Sequence, residues 1–167
     1  MSPTPQTHTL LTQALLDSVA AEASDSTRLR KNYNFHQLNE TVQRMLNVLQ
    51  PGTYVRPHRH MRPEGANGFE FFLVLQGKLG MLTFDGQGEI CDRVILSADG
   101  PAYGIELEEG VYHSLLSLAP DTVIFELKEG PYNAATDKEF LPMFPDEGTP
   151  KALELANTIW PREFPSA

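Results

Sequence analysis

Gly52-Thr53-Tyr54-Val55-Arg56-Pro57-His58-Arg59-His60 decides how the rest of the chain is read. Side chains on an extended segment alternate, so two histidines one residue apart face the same side and can share one metal ion. A carboxylate follows in Phe69-Glu70-Phe71-Phe72-Leu73-Val74-Leu75-Gln76-Gly77, and His113 closes Glu109-Gly110-Val111-Tyr112-His113. Three imidazoles and one carboxylate on strand-like pieces make a coordination set for a divalent transition metal.

Outward from this stretch, residues 43–128 alternate short β-branched and aromatic runs with Gly, Pro and Asp punctuation. The pattern predicts strands near 44–49, 53–60, 69–76, 78–84, 89–96, 102–107, 111–118 and 122–128. Short strands at this spacing predict an all-β sandwich or barrel, with an Asp-Gly hairpin loop at Phe84-Asp85-Gly86-Gln87-Gly88. Before them, Leu10, Leu11, Ala14, Leu15, Val19 and Ala20 fall at helical spacing between Thr9 and Ala23. After them, the proline-punctuated tail is expected to wrap the surface, with one short helix around Lys151–Thr158. The expected organisation is a helical extension over 1–30, a barrel over 31–130 and a tail over 131–167.

Composition narrows the function. Of 167 residues, 41% are hydrophobic and 21% charged, which are globular values. A net charge of −9 argues against nucleic acid or an anionic membrane as partner. Cys91 is the only cysteine, so no internal disulfide can form, and it reads as a small core residue. No basic leader with a long apolar stretch opens the chain, and no segment approaches the ~20 apolar residues of a membrane span. A soluble cytoplasmic protein is the expectation.

The spacing is specific enough to carry a resemblance. Gly52, five residues, His58, one residue, His60 opens a first motif, Glu70 with Gly77 six residues later closes it, and Gly110-Val111-Tyr112-His113 is the core of a second. The chain resembles the cupins, small barrels of jelly-roll type. Within them it looks like the WbuC-type cupin-fold metalloproteins, often associated with surface-polysaccharide gene clusters. The phrases carrying that closer match are Pro51–His60, Gly104-Ile105-Glu106-Leu107, Gly110-Val111-Tyr112-His113-Ser114 and Val123–Tyr132. The resemblance implies one divalent metal (Fe, Mn, Ni or Zn) held by His58, His60, Glu70 and His113, with about two open positions if the ion is octahedral.

Three departures stand out. Nine residues separate His60 from Glu70, where three or four are usual, and the insert at 61–68 reads as a loop at the barrel mouth. It leaves Glu64 at the usual distance from His60, although only Glu70 keeps the spacing to Gly77. Glu108 stands where a proline is usual, and Ser117 stands where many cupins have Asn. A metal-free barrel with the same histidines hydrogen-bonded to one another is the alternative to metal binding, and some cupins work that way by acid–base chemistry.

Arg56 and Tyr54 share parity with His58, so they are expected to face the cavity and contact substrate. A buried arginine needs an anion, either an internal acid such as Glu106 or Glu126 or a substrate carboxylate or phosphate. Phe72, Val74 and Leu115 are expected to line the interior near the metal, Phe72 as part of the substrate wall. Val123, Phe125 and Leu127 look inward, which would leave Glu126 outside. Phe69, Phe71, Leu73 and Leu75 form a second apolar face, to be covered by the N-terminal helix or by a second subunit in a homodimer.

Two function classes follow. One is an enzyme acting on a small sugar-like or anionic molecule, an isomerase or epimerase with an Fe(II) dioxygenase as the other enzymatic form. The other is a metal-dependent binding protein without turnover. Fold alone does not separate them; an acid–base residue within reach of the open metal positions would favour the enzyme.

Overall fold

Antiparallel pairing throughout builds two five-stranded sheets in the computed structural model, which describes residues 8–165. In chain order the elements are helix α1 (Gln13–Asp25), β1 (Arg30–Asn34), β2 (Val42–Leu49), β3 (His58–Arg59), β4 (Glu70–Gln76), β5 (Lys78–Phe84), β6 (Ile90–Ser97), β7 (Gly104–Leu107), β8 (Tyr112–Ser117), β9 (Thr122–Glu129), β10 (Glu139–Phe140) and helix α2 (Pro150–Glu154). A π-helical turn (Leu155–Ile159) and a 3-10 turn (Trp160–Glu163) continue α2. The sheets have the orders β1-β2-β9-β4-β7 and β10-β3-β8-β5-β6. Their inner faces enclose Leu49, Val55, Phe72, Val74, Leu79, Met81, Leu96, Leu107, Leu115 and Ile124. This is an all-β jelly roll of the cupin kind.

Each terminal segment covers one outer face. Thr12 caps α1 by accepting the Leu15 amide at 3.2 Å. The helix then buries Leu16, Val19, Ala20 and Ala23 on Leu46, Val48 and Val123 of the first sheet. The C-terminal turns pack Leu155, Ala156, Trp160 and Phe164 onto Leu82, Phe84 and Leu116 of the second. Burying the leucine, valine and phenylalanine side chains among these contributes ~1.5–3 kcal/mol each. Among the described residues, no helix is long and apolar enough to cross a membrane.

Several expected strands differ in the structure. Residues 53–57 are irregular, because Pro57 has no amide to give to a ladder and the Val55 carbonyl accepts the Ser114 hydroxyl at 2.6 Å. The polar β1 extends the first sheet, and the short β10 brings the tail into the second, Phe140 opposite His58. The barrel therefore includes residues from both segments expected to flank it. Cys91 is exposed on β6 rather than buried, since its strand neighbours Asp92 and Arg93 also face solvent at the barrel's edge. On the outer face of β4, α1 reaches Leu75 while Phe71 and Leu73 stay half-buried.

Candidate metal centre

β3, β4 and β8 meet at one end of the barrel. His58 pairs with His113 across β3 and β8, and Glu70 enters from β4 in the opposite sheet. Gly77, at φ +76°, makes the turn out of β4, where a Cβ would strike the Thr122 hydroxyl at 2.7 Å. His58, His60 and His113 are all buried, and their ligand nitrogens lie within 4.8 Å of one another. Glu70 is buried against two of them, Oε1 lying 3.1 Å from His60 Nε2 and Oε2 3.3 Å from His113 Nε2. Glu64 is exposed in the loop, so the structure places Glu70, not Glu64, beside the histidines.

Ring orientation is set from behind. His58 Nδ1 donates to the Arg56 carbonyl at 2.8 Å and His113 Nδ1 to the Val111 carbonyl at 3.0 Å. Those bonds leave each Nε2 bare, the form a metal requires. His60 Nδ1 instead faces the Asp137 carboxylate at 3.5 Å, and neither of its ring nitrogens has a well-directed hydrogen-bond partner among the described residues. A buried imidazole with both nitrogens orphaned is costly in a metal-free barrel. The cluster therefore fits a divalent metal, with the three histidines and Glu70 as the residues that would hold it.

Charge supports the same arrangement. Burial lowers the pKa of His58 and His113 and so favours the neutral imidazole in each. Burial pushes Glu70 up, but His113, His60 and Lys128 together outweigh it and hold the carboxyl at about 2. Behind Glu70, Lys128 lies 3.9 Å from it, 3.4 Å from Glu126 and 3.2 Å from Asp137. Burial lowers the Lys128 pKa, yet these three carboxylates raise it further, so it stays charged.

A cavity of about 890 Å³ opens over the centre, lined at its floor by Phe72, whose ring centroid lies 5.9 Å from that of His113. Glu126 also lines it, which corrects the expected parity of β9. Ile124, Glu126 and Lys128 face inward, while Val123 is covered by α1 and Phe125 and Leu127 lie half-buried outside. Paired Glu126 and Lys128 make that inward face tolerable. Glu126 accepts from the Asn47 amide, and burial raises its pKa.

The other expected substrate contacts land differently. Tyr54 does not line the cavity: its ring stacks on Trp160 at 5.3 Å and its hydroxyl donates to the Pro145 carbonyl at 2.9 Å. The cause is the irregular backbone at 53–57, where alternation does not hold. Arg56 does line the cavity, but its guanidinium pairs with Asp146 and lies 5.1 Å over the Phe140 ring. Glu106, the other acid considered for Arg56, is exposed. Sequence reasoning missed Asp137, buried between His60, Lys128 and Arg62. It also missed Arg62 from the inserted loop, which reaches Asp137 at 3.0 Å and the Glu129 carbonyl at 3.1 Å.

A family described as a domain of unknown function (DUF6016) matches residues 11–96. No curated protein matches the chain. Among solved structures, it is similar to the capsular polysaccharide assembling protein CapF from Staphylococcus aureus, 22% identical with a TM-score of 0.56 over 70% of this chain and 32% of that one. It is also similar to the Lactobacillus farciminis oxalate decarboxylase in its formate complex, 14% identical with a TM-score of 0.50 over 67% of this chain and 31% of that one. A third is protein SO0799 from Shewanella oneidensis, 13% identical with a TM-score of 0.50 over 66% and 72% of the two chains. The chain spans about a third of the length of the first two. At these identities the likeness fixes the fold, that of the cupins.

Proposed function

We propose that this chain, which belongs to the family described as a domain of unknown function (DUF6016), is a metal-dependent cupin enzyme of the WbuC type that isomerises or epimerises a small sugar-like or anionic metabolite. The supporting observation is Glu126, a carboxylate beside the metal centre that faces the cavity rather than solvent. A bound Fe, Mn, Ni or Zn ion would supply Lewis-acid polarisation of a substrate oxygen.

The chain's own residues supply the proton chemistry. Burial favours the protonated form of Glu126 and the Lys128 ammonium opposes it, so the carboxyl can both take and return a proton. The Asn47 amide fixes its orientation. Isomerisation moves a proton from one carbon to its neighbour while the hydroxyl proton passes to the adjacent carbonyl oxygen, without net redox change. Glu126 can take and return the carbon-bound proton on one face of the substrate, whereas epimerisation needs water or a second group to return it on the other face. Phe72 and Leu115 keep the floor of the cavity apolar, which strengthens every charge interaction above it.

The test is solvent deuterium incorporation into a panel of sugars and hydroxy acids, followed by NMR with metal-loaded protein. Wild type should exchange at one carbon, and Glu126→Gln should abolish exchange while retaining metal. Exchange at the wild-type rate in Glu126→Gln would overturn the assignment; oxygen consumption in place of exchange would identify a dioxygenase, and binding without either a non-catalytic binder. For assembly, we propose a homodimer through the half-buried Phe71 and Leu73 face of β4, with sedimentation as a single-chain species the contrary result.

A further inference from the structure

Six Lys and Arg side chains line the cavity, and five of them already have partners. Arg28 and Arg30 hold Glu147 at 3.0 and 2.6 Å, Lys31 holds Glu22 at 2.8 Å, Arg56 holds Asp146, and Lys128 sits among Glu126, Asp137 and Glu70. Lys138 alone has no ion pair among the described residues.

Its position follows from its neighbours. Asp137 turns inward to His60, and Phe140 lies opposite His58 with ring centroids 6.0 Å apart. Lys138 is bracketed by two residues that both approach the histidines, and like Phe140 it lines the cavity. It lies at the cavity mouth, open to solvent there, yet the surrounding protein lowers its pKa, with Lys128 adding to the effect. Its charge also disfavours protonation of His58 and His113.

Across the cavity, β1 presents Asn32 and Asn34. Among the described residues, the side-chain amide of Asn32 has only a long contact to Met45 Sδ at 3.8 Å, and Asn34 has no side-chain hydrogen bond. Strand register puts Asn34, Met45, Glu126 and Phe72 in one row across the sheet. With strands about 4.8 Å apart, Asn34 stands roughly 10 Å from Glu126. Lys138 lines the same cavity, so a ligand reaching from the centre's side of it to the asparagines must be longer than a two-carbon acid, and about six carbons is the size taken for the proposal.

We propose that Lys138, Asn32 and Asn34 form the recognition half of the cavity and select a hydroxylated carboxylic acid of about six carbons. Its carboxylate pairs with the Lys138 ammonium above the histidine cluster, and its hydroxylated tail runs toward the two asparagines. This rests on the metal-centred function proposed above and moves the anion-binding role from Arg56, which Asp146 already occupies, to Lys138.

The test is calorimetric titration of manganese-loaded protein with gluconate, glucitol and glycerate. Glucitol keeps the hydroxyls but lacks the charge; glycerate keeps the charge but lacks the tail. Wild type should bind gluconate at least tenfold more tightly than either. Lys138→Gln should lower gluconate affinity ten- to a hundredfold, the usual loss for a charge-assisted contact, and leave glucitol unchanged, while Lys138→Arg restores most of it. The double variant Asn32→Ala, Asn34→Ala should weaken gluconate and leave glycerate unchanged. Gluconate binding no tighter than glucitol in wild type, or unchanged in Lys138→Gln, would overturn the inference. Metal content measured alongside keeps the two readings apart: wild type unable to hold manganese strikes the metal-centred function, whereas metal-loaded protein indifferent to gluconate strikes only this assignment.

Discussion

The candidate site has two halves built on different principles. The half carrying His58, Glu70 and His113 rests on β3, β4 and β8, inside paired sheets, with His60 one residue past β3 and main-chain carbonyls behind His58 and His113. The half carrying Asp137, Lys138, Phe140 and Asp146 comes from the tail, tied to the barrel by two ladder pairs at β10 and by side-chain contacts. Sheet pairing fixes ligand positions and tolerates little change. A segment held by a few polar contacts can vary without dismantling the barrel, which suits the part of a site that meets substrate.

If that division is real, damage to the strand half should be the more severe. His58→Ala or His113→Ala should bring metal content to background in elemental analysis, whereas His36→Ala, outside the cluster, should retain it. Next comes Trp160→Ala, which removes the ring stacked on Tyr54 beneath the tail's anchor. It should cost about 3–5 kcal/mol in urea unfolding, with a tail that contributes nothing to stability as the contrary outcome.

Asp137→Asn probes the seam between the halves. A carboxylate behind a ligating histidine typically matters ten- to a hundredfold in metal affinity, which a chelator competition would register. Equal affinity would mean that His60 needs no support from the tail.

Acidity gives a smaller, graded effect on chelator-treated protein. Burial holds His58 and His113 below their ordinary 6.5, so below that value the unfolded chain takes up protons that the fold refuses. Stability should therefore fall as pH drops through 6.5, by up to about 1.4 kcal/mol per pH unit for each histidine. Glu70, held at about 2 against an ordinary 4.5, contributes fully above 4.5 and loses that contribution as pH falls toward 2. A flat urea midpoint between pH 7 and 5 would show that the imidazoles are not buried in the neutral form. The smallest change belongs to Arg56→Ala, whose partner Asp146 is largely exposed; it should shift stability by at most about 1 kcal/mol.

The strand half was legible because its chemistry is written locally. Gly52, His58 and His60 sit within nine residues, and Glu70 keeps its register to Gly77. The tail half was not, because nothing in Asp137-Lys138-Glu139-Phe140 alternates over enough residues to mark a strand, and its partners lie about 80 positions away. Parity misled on β9 for a related reason. Val123, Phe125 and Leu127 are the more hydrophobic set, but α1 makes the outer face of that sheet partly a core as well, so the charged set could turn inward. Tyr54 was misplaced because one proline ended the alternation on which its parity rested.

Asp137 holds one further consequence. It joins the inserted loop through Arg62, the barrel through Lys128 and the ligand set through His60. Whatever stabilises the histidines must, by reciprocity, tighten the loop and the tail, and whatever loosens the tail must weaken the histidines' hold. A metal held there would then be released as often as residues 131–140 open, a local event rather than global unfolding. Amide hydrogen exchange in that segment should slow on metal loading and keep pace with metal release, so that the tail acts as the clock of the centre.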